Sequence, residues 1–226
     1  MPYVSHEVNA AKIAALVAAI DQAAFRLGYS GTEVLDVEEL SVDTGLAPAR
    51  VRQLLEGAEP EQPPTGSKDE REAFYRKLVG QRLSFLRKRA DPSSEHGEAL
   101  RVIGDEVGLS HELVSRLAKG TRSARVDYSS PLEARYQVPH GFLSQPEGPA
   151  LADRLEKIKD GLWASVLREE ISEFGGKQMA LRQTGSQPPS LEELVSIMDA
   201  VKARQRIQNR RAGASPDDLN GEQKGS

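Results

Sequence analysis

The sequence predicts an all-α fold, with two helix-turn-helix units followed by a C-terminal helical dimerisation module. Three observations carry that expectation. Apolar residues recur at helical spacing along much of the chain. Helix starts and stops are marked by capping residues, among them Asp36, Ser110 and Ser190, and by Gly28, Gly108 and Gly120. The motif also occurs twice: Leu40, Ser41, Gly45, Leu46, Val51, Leu54 and Gly57 each stand 63 residues before Ile103, Gly104, Gly108, Leu109, Val114, Leu117 and Gly120.

In order, Ile13, Leu16, Val17, Ile20, Ala24 and Leu27 define a first core helix that Gly28 ends. Its apolar stretch from Ala10 to Ile20 contains Lys12 and is too short to span a bilayer; no basic segment precedes it, so no signal peptide is expected. Asp36 with Glu39 forms a capping-box pattern for the next helix, and Pro48 opens the one after it, where its missing N–H is harmless. Residues 1–57 thus make a first unit. The Pro- and Gly-rich stretch over 58–69 reads as a linker. A helix from Glu70 to about Arg89 opens a second domain over 70–146, anchored by Phe74, Leu78, Leu83, Phe85 and Leu86, with the basic run Arg87, Lys88, Arg89 at its end. A loop from Ala90 to Gly97 leads into the motif between Leu100 and Arg125.

In that motif Ile103, Val107, Leu109, Val114 and Leu117 interlock two short helices, Gly104 permits a close crossing and Gly108 supplies a turn that needs positive φ. A short helix over Pro131 to Tyr136 follows, then Val138 and Phe142 as plugs for the core. From 147 to 210 the expected module begins with Leu155, Ile158, Leu162 and Val166, a seam suited to pairing with a second copy, although the same helices could instead cap their own domain. Glycines 175 and 176 break the seam, Ser190 with Glu193 starts another helix, and residues 211–226 read as a disordered tail.

Net charge is −4, yet its distribution is uneven. Residues 1–57 carry 4 basic and 8 acidic groups, whereas residues 68–126 carry 13 and 9. The basic footprint is local. Ser110, His111, Glu112, Ser115, Arg116 and Lys119, with Arg122 and Arg125 behind them, face outward from the second helix of the motif and suit a duplex groove. Arg50, Arg52 and Gln53 hold the matching face of the first unit, which serves either DNA or a protein partner. The 87–89 run is a solvated face or a phosphate clamp.

No cysteine is present, which excludes disulfides, thiolate metal sites and cysteine nucleophiles and suits a reducing cytoplasm. The run from His111 to Ser115 begins like a zinc-protease motif, but Ser115 stands where the second histidine belongs, and His6, His96, His111 and His140 lack ligand spacing. No phosphate-binding loop or nucleophile elbow occurs, so no enzyme, metal or cofactor is expected.

The order of a basic first helix, a long loop, the motif, a short helix and a helical pair resembles the xenobiotic response element, or lambda-repressor-like, regulators, nearest to the EspR-like nucleoid-associated group of mycobacteria. The resemblance covers about residues 73–205, through GLSHELVSRLAKGTRS and LWASVLREEISEF followed by SLEELVSIMDAV. It implies a homodimer held by the C-terminal helices, Ser110 to Lys119 as recognition helix and Arg122 on phosphate. The first 65 residues depart from the family's pattern. The expectation is a sequence-specific, homodimeric, cytoplasmic and nucleoid-associated transcriptional regulator that binds double-stranded DNA, with no membrane or small-molecule partner. The alternative is an interaction adaptor, antitoxin-like or sigma-factor-binding.

Overall fold

The computed structural model describes residues 8–90, 96–173 and 190–213, and among them the protein is all-α. The helices are α1 (Ala10–Arg26), α2 (Gly31–Val34), α3 (Val37–Thr44), α4 (Pro48–Leu55), α5 (Lys68–Ala90), α6 (His96–Val107), α7 (His111–Ala118), α8 (Val126–Arg135), α9 (Glu147–Glu173) and α10 (Leu191–Gly213). The 63-residue offset holds at helix boundaries: α4 and α7 start and end in register, and so do the ends of α3 and α6. α10 runs to Gly213, three residues into the tail expected over 211–226; the rest of that tail, glycines 175 and 176, and residues 91–95 of the expected loop lie outside the described residues.

Local chemistry sets the starts and stops. Asn9 caps α1 by accepting from the Lys12 N–H at 3.0 Å, and Asp36 caps α3 by accepting from Glu38 and Glu39. The Glu39 carboxylate does not close the anticipated box; it accepts from Arg154 of α9 at 2.7 Å. Ser190 with Glu193 does close one at α10, and Ser67 with Glu70 closes one that starts α5 earlier than expected. Short α2 was not anticipated; a Ser30–Glu33 box starts it. α8 is longer than predicted and carries Pro131 inside it.

Two helical pairs repeat one geometry. α3 and α4 are joined through Gly45 at φ +66°, and α6 and α7 through Gly108 at φ +70°, a left-handed conformation that favours glycine. In each, the apolar anchors are sealed: Leu40 and Ile103 are buried, as are Val51 and Val114, Leu54 and Leu117. Gly104 sits so close to the turn that a Cβ would stand 2.6 Å from the Leu109 carbonyl oxygen. Its counterpart Ser41 has room for a side chain, and the hydroxyl donates to the carbonyl of Leu46, the counterpart of Leu109, at 2.6 Å.

The core around the second pair joins Val79, Leu83 and Leu86 of α5 with Leu100, Ile103, Val114, Leu117, Leu132, Phe142 and Leu143. The buried Glu133 carboxylate fastens the turn after α8 by accepting from the Gly141 and Leu143 N–H groups, both at 3.0 Å, which sets Phe142 and Leu143 into that core.

The expected split into domains 1–57 and 70–146 is corrected, because Met1–Lys159 forms one compact unit and Asp160–Ser226 another. Residues 58–69 do not act as a free tether: Pro60 is buried, Gln62 Nε2 donates to the Val8 carbonyl at 2.6 Å, and the Glu61 N–H donates to the Glu147 carboxylate. The boundary expected at 147 falls instead inside α9. Its first half belongs to the first unit, where Glu156 pairs with Lys12 of α1 at 3.0 Å and Arg154 pairs with Glu39 and Asp43 of α3.

A buried arginine ties the two pairs together. From α5, Arg82 donates through Nη1 to the Thr44 carbonyl at the end of α3 and through Nη2 to the Gln145 carbonyl at 3.0 Å, with its guanidinium 5.1 Å from the Phe142 ring centre. In the second unit, Trp163 and Val166 of α9 and Val195 and Met198 of α10 are buried, and Lys202 pairs with Glu170.

Candidate nucleic-acid interface

α7 is held from behind. Ser110 Oγ accepts from the Leu113 N–H at 3.2 Å, Val114 and Leu117 are sealed in the core, and Gly120 ends the element at φ +66°. α5 crosses its C-terminal end with backbone nearly touching: a Cβ on Gly80 would meet the Gly120 nitrogen at 2.8 Å. Ser84 Oγ donates to the Ala118 carbonyl at 3.4 Å. Such a crossing leaves the opposite face of α7 to solvent.

That face carries the expected residues. Ser110, His111, Glu112, Arg116, Lys119 and Arg122 are exposed, and Ser115 is half-buried. The Ser110 hydroxyl oxygen already serves the cap, so its O–H is the part left to donate outward. Arg116 is not a lone cation: its Nη2 lies 2.6 Å from the Glu112 carboxylate one turn back, with both side chains more than half exposed. Such a pair contributes only about 0.3–0.5 kcal/mol, so an outside acceptor can exchange with it. No carboxylate among the described residues pairs with Lys119 or Arg122, and Arg125 lies 3.9 Å from Asp127. No protein-family model, curated protein or solved structure matches this chain.

The matching face of α4 is built differently. Arg50, expected to face a groove, is turned inward: its Nε donates to Glu147 at 3.0 Å, its Nη2 to the same carboxylate and to the Glu59 carbonyl at 2.9 Å, and its Nη1 to Gln53 at 3.3 Å. That bond to Glu147 also holds the guanidinium pKa above its ordinary value. The stretch after α4 and the start of α9 therefore cover the part of the face that Arg50 was to present. Gln53 stays exposed and Arg52 reaches the exposed Glu38 at 3.6 Å.

Of the basic run at the end of α5, Arg87 is buried while Lys88 and Arg89 are exposed. The sequence reading missed Lys77, whose Cα would lie 3.4 Å from a Cβ on Gly120 and so flanks the end of α7. A glycine in mid-helix, Gly80, was the signal for a close crossing there.

The expected dimer seam is corrected in part. Leu155 and Val166 are buried within the chain, whereas Ile158 and Leu162 are half-buried. Among the described residues, Ile171 of α9 and Ile197 of α10 are exposed large apolar side chains. Among the described residues no group of three or more His, Cys, Asp or Glu is placed to hold a metal, and no helix is long and apolar enough to cross a membrane.

Proposed function

We propose that the protein is a double-stranded-DNA-binding transcriptional regulator that lays the outer face of α7 in the major groove. The observation that carries this reading is the combination of a rigidly backed α7 with an exposed face of hydrogen-bonding and cationic groups, Arg116, Lys119 and Arg122 foremost. Arg116 is the base-reading residue, while Lys119 and Arg122 neutralise phosphates. The protein acts as a homodimer, so that two α7 helices meet successive half-sites.

Binding of the full chain to duplexes selected from random sequence, measured over a range of salt, tests this reading. Affinity is expected to fall steeply with salt, by roughly 0.9 log units per log unit of salt for each phosphate neutralised. Arg116→Ala is expected to weaken the selected site by about 1–3 kcal/mol while leaving random duplex nearly unaffected. A flat salt profile would overturn the reading. The adaptor role retains one specific support, which is that the α4 face is partly occupied by the chain itself: the first helical pair then serves as scaffold or protein contact rather than as a second DNA head.

A further inference from the structure

Between the start of α4 and the side of α5 lies a cavity of about 430 Å³. Four cationic side chains line it, Arg50, Lys77, Arg82 and Lys88, and two carboxylates, Glu61 and Glu147. Both carboxylates are already engaged, Glu147 with Arg50 and Glu61 with Lys77 at 3.1 Å. Arg82 and Lys88 are left, two positive charges with no carboxylate bonded to either among the described residues.

Arg82 is 1 % exposed, and water barely reaches it. Its two terminal nitrogens serve the carbonyls of Thr44 and Gln145, which are neutral acceptors. The remaining nitrogen, Nε, has no acceptor. It is bonded to the Cδ atom that lies 2.8 Å from where a Cβ on Gly45 would be, and Gly45 is itself a wall of the cavity. Burial lowers the Arg82 pKa to about 10, with the Glu147 carboxylate opposing that shift, so the group stays cationic at neutral pH. Glu147 acts on it through space without bonding to it, so Nε remains a buried donor without an acceptor, and an anion bonded to it would relieve that.

Two further features agree. Ala47 stands at the N-cap of α4 with no side-chain oxygen to offer, so the helix start, a wall of the same cavity, keeps its partial positive charge open. The remaining walls include Leu46, Phe74, Leu78 and Phe85, which offer an apolar bed that an inorganic ion would not use. The volume lies within the roughly 300–1,000 Å³ of small-molecule sites.

We propose that this cavity binds a small organic anion, a carboxylate or phosphate monoester on an aromatic or branched apolar body, with the anionic end at Arg82 and Lys88. Because its walls come from the turn of the first helical pair and from α5 of the second core, the ligand fastens the two together. This inference does not rest on DNA binding. A backbone phosphate of a duplex shares the anion chemistry but lacks the apolar body.

The test uses the full chain and four probes: benzoate, phenyl phosphate, inorganic phosphate and a short random duplex. The readouts are the Arg82 Nε–H resonance and the melting temperature as a function of probe concentration. Benzoate and phenyl phosphate are expected to move the resonance in a saturable way, to raise the melting temperature, and to bind about tenfold or more tightly than inorganic phosphate. Lys88→Glu, a change at an exposed side chain, is expected to weaken both by about tenfold or more without lowering the melting temperature of the free protein. Absence of saturation, equal affinity for inorganic phosphate, indifference to Lys88→Glu, or a response to the duplex alone would each overturn the proposal.

Discussion

At Gly104 a single hydrogen decides how closely two helices meet. A Cβ there would stand 2.6 Å from a backbone oxygen, which cannot swing aside as a side chain could. Gly104→Ala is therefore expected to destabilise the protein by about 1–3 kcal/mol in urea denaturation, although alanine is the better helix former. An unchanged midpoint would mean that α6 and α7 are free to move apart. Glu112 offers a second test at this scale. Its carboxylate neutralises Arg116 in the free protein and would oppose phosphates in any register where cytosine does not donate to it. Glu112→Gln is expected to tighten binding to random duplex several-fold while reducing the ratio of selected to random affinity. A ratio that rises would assign Glu112 a purely structural part.

At the scale of elements, α4 and α7 share boundaries and buried anchors yet differ in what their outer faces meet. Arg50 sits in a two-nitrogen grip on Glu147, which is buried and accepts the Glu61 N–H as well. Arg50→Ala would leave that carboxylate with one donor. The expected loss is about 2–3 kcal/mol, below the roughly 3–5 of a fully buried pair because the Arg50 side chain is 30 % exposed. Arg52→Ala, whose partner Glu38 lies 3.6 Å away in solvent, is expected to change stability by well under about 1 kcal/mol. If the salt slope of DNA binding drops in Arg50→Ala while the fold is intact, the covered face is not the resting arrangement and the first pair is a second DNA head.

For the whole molecule, assembly turns on which apolar groups the chain leaves uncovered. Leu155 and Val166 serve its own interior, so changing them tests folding. Ile171 and Ile197 are 48 % and 42 % exposed and are the better handles on a dimer. Ile171→Asp with Ile197→Asp is expected to give monomers by sedimentation, with the melting temperature nearly kept and operator affinity lowered as avidity is lost. A wild type that sediments as a monomer removes the dimer from the reading.

The residues by themselves marked the longer helices, the caps at Asp36, Ser110 and Ser190, and the 63-residue repeat, because these depend on neighbours within a few positions and on periodicity; the cap at Asn9, short α2 and the full length of α8 they did not mark. They also marked the outward residues of α7, since one face of an amphipathic helix is legible once the buried anchors are named. They could not decide whether residues 58–69 tether or strap, because proline and glycine content describes stiffness and not what the segment will bond. Nor could they show that Glu147, 97 positions away, would take Arg50, or that Arg82 would be buried among carbonyls. An arginine in a sequence reads as a solvated charge by default. Only the packing of α5 and α9 against the first helical pair turns these arginines inward, because a long-range partner decides whether burying a charge can be met by hydrogen bonds.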